Sequence, residues 1–259
     1  MLYRVVLFST CIGLLVAENV LIDHNIRATN LKITNGSTTD ANSISYQAYI
    51  DATTLNASRS CSGSLISRNC IITAAQCIEG AIFINVWIGS RDLSDTNSLQ
   101  KLESINYTIH ENYDSETYEN DIGVIYLSHI NITEDMEILE LPTQEEADST
   151  YYDEFVTVSG WGKVNETVTS SDVLLSVNST VVPDLMCWEA FGYFPINDMC
   201  TLSEKGACQG DMGGPIVLNY KLIGVISRVE DSCKEGYVPN ISVKVGYFLD
   251  WIRSKTDIS

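Results

Sequence analysis

Histidine is scarce in this chain. Its 259 residues include three, His24, His110 and His129. No histidine pair or acidic cluster has the spacing of metal ligands, so no metal and no other cofactor is expected. Basic residues are scarce too: 15 Lys and Arg stand against 34 Asp and Glu, a formal charge of −19. Such a field repels phosphate backbones and anionic membranes, which excludes nucleic acid as a partner, and it keeps the protein soluble. Internal repeats and low-complexity tracts are absent. No apolar run is long enough to span a bilayer. With 45% hydrophobic and 19% charged residues, the composition is that of an ordinary globular protein, long enough to bury a large core in one or two domains.

The longest apolar run, Val5 to Ala17, follows Arg4 and ends at Glu18. It reads as a secretory signal, residues 1–17, cleaved after Ala17. A soluble, secreted, extracellular product is therefore expected, with no membrane attachment and as a monomer. Seven cysteines remain after the signal, and six of them can pair in more ways than sequence alone resolves. Cys70 is the one left over, read as a buried thiol. Seven Asn-x-Ser/Thr sequons also follow: Asn35, Asn56, Asn106, Asn131, Asn165, Asn178 and Asn240. That density in a secreted chain makes a glycoprotein the expectation.

Residues 18–32 carry no cysteine and no clear pattern and read as a propeptide. From there on the pattern is all-β. Runs such as Ala81–Ile88, Ile122–Leu127, Phe155–Val158, Val173–Val177 and Leu222–Ile226 are β-branched or alternating, and turn residues separate them. Periodicity does not choose between a sandwich and barrels. Glu134 to Glu154, acidic and containing Pro142, reads as a linker. Helices are expected at Asp184 to Phe191 and at Phe248 to Arg253.

Several segments follow in a telling order: Cys61-Ser62-Gly63 with Ala74-Ala75-Gln76-Cys77, then Asn120-Asp121-Ile122, Ser159-Gly160-Trp161-Gly162, and Cys208-Gln209-Gly210-Asp211-Met212-Gly213-Gly214-Pro215. Together they resemble the signature segments of chymotrypsin/trypsin-like serine proteases, from Ile33 to about Ile252. Tyr46-Gln47-Ala48-Tyr49 and His110-Glu111-Asn112-Tyr113 are similar to the arthropod collagenase-like (brachyurin) branch. The resemblance implies a domain at 33–259 made of two six-stranded antiparallel β-barrels, about 33–141 and 142–259, with a cleft between them and a short C-terminal helix. It also implies disulfides Cys61–Cys77, Cys187–Cys200 and Cys208–Cys233, and it places Asn35 and Asn240 near buried regions. The glycosylation candidates are therefore Asn56, Asn106, Asn131, Asn165 and Asn178.

In that family the position of Gln76 is the catalytic histidine and that of Met212 the nucleophilic serine, while Asp121 matches the orienting carboxylate. An amide has no nitrogen that titrates near neutral pH and cannot act as general base. A thioether has no proton to lose and forms no stable acyl-enzyme. His110 and His129 fall in segments that the family places away from the cleft. The backbone N–H groups of Gly210 and Met212 match the oxyanion hole. The pocket positions are Gly206 at an uncharged base, Ser227, and Val229 and Asn240 where small glycines usually stand. Lys32-Ile33 resembles the activation junction, with Asp211 as the partner of the new Ile33 N-terminus.

The implied function is a secreted, catalytically inactive serine protease homologue that binds extracellular proteins. It would capture an inhibitor, mask a substrate, or act as cofactor or antagonist in a cascade. The alternative is a serine endopeptidase with residual or altered activity, supported only by the preserved frame. A storage glycoprotein is a third reading with no motif behind it.

Overall fold

The computed structural model describes residues 44–134, 136–163, 170–203, 207–229 and 238–258. The expected signal, propeptide and Lys32-Ile33 junction lie outside these residues, as do Asn35, Asn165, Gly206 and Cys233. The first half contains β1 (Gln47–Thr53), β2 (Ser58–Leu65), β3 (Cys70–Thr73), α1 (Ala75–Ile78), β4 (Phe83–Ile88), β5 (Gln100–Ser104), β6 (Tyr107–Ile109) and β7 (Gly123–Tyr126). The second contains β8 (Phe155–Gly160), β9 (Leu175–Val182), α2 (Asp184–Phe191), β10 (Asp198–Ser203), β11 (Pro215–Leu218), β12 (Lys221–Arg228) and β13 (Val238–Lys244), then a 3₁₀ turn (Val245–Phe248) and α3 (Leu249–Lys255).

The second half is a closed six-stranded barrel in the order β10-β13-β12-β11-β8-β9. The first is a seven-stranded sheet, β5-β4-β1-β2-β3-β7-β6. Its outer members, β5 and β6, are separated only by Ile105 and Asn106. They are two pieces of one bent strand, one pairing with β4 and the other with β7. Counted so, the sheet has the six strands expected, and the chain itself closes the circuit. Ser104 holds the bend: its Oγ donates to the Tyr126 carbonyl at 2.6 Å and accepts the Asn106 N–H at 3.0 Å.

Alternation fixes which side chains fill the interior. Ile50, Ile71, Ile84, Val86 and Val124 are buried in one cluster, and Val158, Val181, Met199, Ile216 and Ile226 in another. Each such aliphatic side chain contributes about 1.5–3 kcal/mol by leaving water. The barrels are joined by polar groups as well. Gln47 and Ser159 exchange hydrogen bonds: Gln47 Nε2 donates to the Ser159 carbonyl (2.9 Å), and Ser159 Oγ donates to Gln47 Oε1 (2.6 Å). Trp161 Nε1 donates to the Arg91 carbonyl at 3.0 Å while its ring meets Tyr49 edge-on.

The expected helix over Asp184 to Phe191 is α2, bracketed by Pro183 and by Gly192 at φ 71°. The C-terminal helix is α3. The expected linker, 134–154, carries no strand among its described residues. It is tied to β12 by Lys221, whose Nζ lies 2.7 Å from the Glu146 carboxylate. Cys61–Cys77 and Cys187–Cys200 are disulfides, and Cys208 is disulfide-bonded. Cys70 is a free, buried thiol. Disulfides at this density belong to an oxidising compartment. Among the described residues no helix is long and apolar enough to cross a membrane.

Candidate functional site

Three segments from both barrels meet around Asp121. The Cys61–Cys77 disulfide links β2 to α1 and so fixes Gln76, the neighbour of Cys77. From the other barrel, the Met212 carbonyl accepts the Ser62 N–H at 2.8 Å, next to the same disulfide. Ser227 sits at a β-bulge in β12, where the register against β13 shifts between Ile226 and Arg228. A bulge re-aims a side chain, and here it turns the Ser227 hydroxyl onto Asp121.

Asp121 is fully buried and accepts three hydrogen bonds. They come from the Gln76 backbone N–H (2.8 Å), Gln76 Nε2 (2.5 Å) and Ser227 Oγ (2.6 Å). Burial outweighs them and the nearby charge of Arg228, and raises its pKa from the usual 3.8 to about 6. The Gln76 side-chain amide has a second use, donating to the Ser227 carbonyl at 2.8 Å. Both of its N–H groups are thus engaged. The Ser227 carbonyl, which an extended peptide would otherwise find open, already holds a donor. The thioether of Met212 is half-buried and packs on the first core cluster.

Asp211 precedes Met212, and its carboxylate accepts the N–H groups of Gly162 and Cys208, each at 2.8 Å. Glycine is required opposite it: a Cβ on Gly160 would collide with Asp211 Oδ1, and one on Gly162 would lie 2.6 Å from Asp211 Cγ. A cavity of about 40 Å³ adjoins this carboxylate, lined by Ser159, Gly160 and Gly162. Burial raises the Asp211 pKa to about 6 against the two backbone hydrogen bonds. Gly210 takes φ 97°, which favours glycine. Among the described residues neither the Gly210 nor the Met212 amide has an acceptor.

Of the other expected pocket residues, Val229 packs on the second core cluster and Asn240 is buried in β13 opposite Thr201. His110 is packed between Phe248 and Trp251, with ring centroids 5.1 and 5.2 Å away, and burial pushes its pKa down. His129 is exposed beside Arg68 and Asp257. Neither touches Gln76, Asp121 or Met212. Among the described residues no three His, Cys, Asp or Glu side chains converge so as to hold a metal.

The structure adds a pair that the sequence did not single out. Arg228 NH2 lies 2.7 Å from Asp198 Oδ2, with the Asp198 side chain wholly buried. Asp198 pairs with Val243 and Arg228 with Ile241, both on β13, so the two project from one face of the sheet. Burial pushes Asp198 to about 7 despite Arg228, and the charges of Asp121 and Glu119 push the same way. The signal in the sequence was Arg228 itself. A cation standing where the resembled pattern has a tryptophan needs a counter-ion from a neighbouring strand.

The trypsin family model matches residues 33–252. Chymotrypsin of Phaedon cochleariae is 30% identical over 232 residues, 88% of this chain and 83% of that protein. Brachyurin of Leptuca pugilator is 35% identical over 205 residues, 77% and 88% of the two chains. The solved structure of HL collagenase superposes with a TM-score of 0.79 at 30% identity, covering 87% of this chain and 99% of that one.

Proposed function

Because this chain belongs to the trypsin family, we propose that it is a secreted, catalytically inactive serine protease homologue that acts by binding other extracellular proteins. The observation that carries this reading is the placement of Gln76. Its side chain sits on Asp121, spends its N–H groups on Asp121 and the Ser227 carbonyl, and lines one cavity with Met212. An amide there accepts no proton at neutral pH, and the neighbouring thioether has none to give. The histidines within the described residues are held elsewhere. The retained frame then serves recognition: loops on a rigid double barrel present a surface to a protease inhibitor, a protease or its substrate.

Secretion follows from the leader at 1–17, the disulfides and the sequons. Asn56, Asn106, Asn131 and Asn178 are exposed and open to glycosylation, whereas Asn240 is buried. The Asp211 carboxylate, enclosed by Gly160 and Gly162, is placed to receive the Ile33 N-terminus after cleavage at Lys32. The amides of Gly210 and Met212, without an acceptor among the described residues, are the remnant of an oxyanion hole.

Serine-directed organophosphonates test the reading. The purified, Lys32-cleaved protein is expected to show no covalent adduct, because position 212 has no hydroxyl to modify, and no turnover across a fluorogenic peptide panel. Stoichiometric labelling of a cleft residue would overturn it and favour the residual-endopeptidase alternative.

A further inference from the structure

Tyr151 and Tyr152 are neighbours in the chain and opposites in the fold. The Tyr151 ring is buried in the second core cluster, and its hydroxyl donates to the Glu146 carbonyl at 3.0 Å. Tyr152 stands 41% exposed on the turn that leads into β8. Hydrogen bonds fix that turn: the Asp153 N–H donates to the Val181 carbonyl of β9 (3.0 Å), and the Glu154 N–H to the Tyr151 carbonyl (3.1 Å). Tyr151 and Asp153 take left-handed φ values of 54° and 65°, so the chain reverses on both sides of Tyr152. At the surface the Tyr152 hydroxyl reaches Asp184 at the start of α2, a bond that costs little to exchange for another.

The charge around Tyr152 is of one sign. Glu145, Glu146, Asp148, Asp153 and Glu154 flank it, all but Glu146 exposed, and no lysine or arginine occurs between Lys101 and Lys163. Two cations come near from other strands. Lys221 is taken by Glu146, and Lys244 is buried close to Asp148 and Asp184. The other tyrosines exposed among the described residues lack this setting. Tyr193 lies under the Arg228 guanidinium, Tyr247 beside the Lys244 ammonium, and Tyr220 precedes Lys221 with no acid near it in sequence. Tyr118 has acids about it but is half-buried in the wall of the cavity beside Gln76.

We propose that Tyr152 is a tyrosine-sulfonation site, modified as the chain passes through the secretory lumen. This rests on the reading of the chain as secreted. The donor is a phosphosulfate nucleotide. Its several negative charges require a basic site on the transferase, and a basic site attracts an acid-flanked acceptor. The phenolic oxygen attacks the sulfur, and the new O–S bond forms as the sulfur–oxygen bond to phosphate breaks. The nucleotide leaves with that electron pair, the phenolic proton passes to a base of the transferase, and nothing is oxidised or reduced. Tyr151 is passed over because its oxygen is buried and engaged. The product is a sulfate ester, which adds a permanent negative charge to this turn.

The test is expression in a secretory host that sulfates a co-expressed control protein, with radiolabelled sulfate in the medium. N-glycans are removed, and alkaline hydrolysis, to which tyrosine sulfate is stable, releases the labelled residue. Tyrosine sulfate is expected from the wild type and none from Tyr152→Phe, which loses only an exposed hydroxyl and leaves the core intact. Glu145→Gln with Asp148→Asn and Asp153→Asn should lower incorporation at least about threefold. Tyrosine sulfate persisting in Tyr152→Phe, incorporation undiminished in the triple variant, or a phosphatase-sensitive group on Tyr152 in place of sulfate would overturn the proposal. The two remaining failures differ in where the chain is found. A secreted chain without tyrosine sulfate would defeat only this site, whereas a chain found only inside the cells would defeat the secretion reading and this site with it.

Discussion

At pH 8 an Arg228→Leu variant is expected to be about 3–5 kcal/mol less stable than the parent chain. Among the described residues, the substitution removes the one hydrogen-bond partner of a wholly buried carboxylate, since Asp198 Oδ1 has no partner there to begin with. At pH 5 the loss should shrink to about 1–2 kcal/mol, the cost of an unsatisfied neutral group. Asp198 is already raised to about 7, so without Arg228 it binds its proton still more readily and escapes the charge penalty. Among the described residues the pair itself is poorly satisfied, because Arg228 Nε also lacks a partner. Asp198→Leu combined with Arg228→Leu should therefore fold within about 1 kcal/mol of the parent. Urea unfolding of the three variants at both pH values measures this. An Arg228→Leu penalty that does not change with pH would show that the pair is not electrostatically coupled.

The second large effect concerns the uncut chain, which should be more stable at pH 5 than at pH 8. Asp121, Asp198 and Asp211 are raised from 3.8 to about 6, 7 and 6. Each binds its proton more tightly folded than unfolded. Their contribution is fully present below about pH 4 and is lost as pH rises through about 6–7, together on the order of several kcal/mol. Self-repulsion of the −19 chain acts in the same sense. Glu111 and Glu146, lowered to about 2 by Lys255 and Lys221, work oppositely but only below about pH 4.5; Glu111 is exposed and Glu146 half-buried. Cleavage after Lys32 should flatten the profile, because an Ile33 ammonium beside Asp211 lowers its pKa and removes its share of the loss. Calorimetric unfolding of cut and uncut protein at pH 5 and 8 decides the matter. Identical profiles would mean that Ile33 does not insert, and Asp211→Asn should then mimic neither form.

Much of the fold was legible because local chemistry and tertiary packing agree. Pro183 and Gly192 bound α2 where the chain cannot continue a helix, and β4 alternates cleanly between faces. β2 escaped notice because its Ser-Arg-Ser-Cys-Ser-Gly-Ser-Leu sequence has no apolar alternation. Its buried half is filled by small residues such as Ser62 and Ser64. The bent β5–β6 strand was likewise hidden, since its pieces are short and polar. Gln76, Asp121 and Met212 stood out through the motifs around them. Asp198 and Arg228 did not, because their meeting depends on how β10 and β12 register on opposite sides of β13, and neighbouring residues do not encode that. The same holds for the Gln76 bond to the Ser227 carbonyl, which joins residues 151 apart.

The most direct measurement compares peptidase activity of the Lys32-cleaved wild type with that of the Gln76→His, Met212→Ser double variant on one fluorogenic panel. In a protease that carries the same triad on an unrelated fold, losing the serine or histidine alone costs on the order of a million-fold, so neither single reversion should restore turnover. The account expects a wild type at background. The double variant should turn over substrate, because histidine restores the base beside Asp121 and releases the Ser227 carbonyl. Turnover by the wild type at a rate comparable to the double variant, persisting through purification and abolished by Asp121→Asn, would contradict the account.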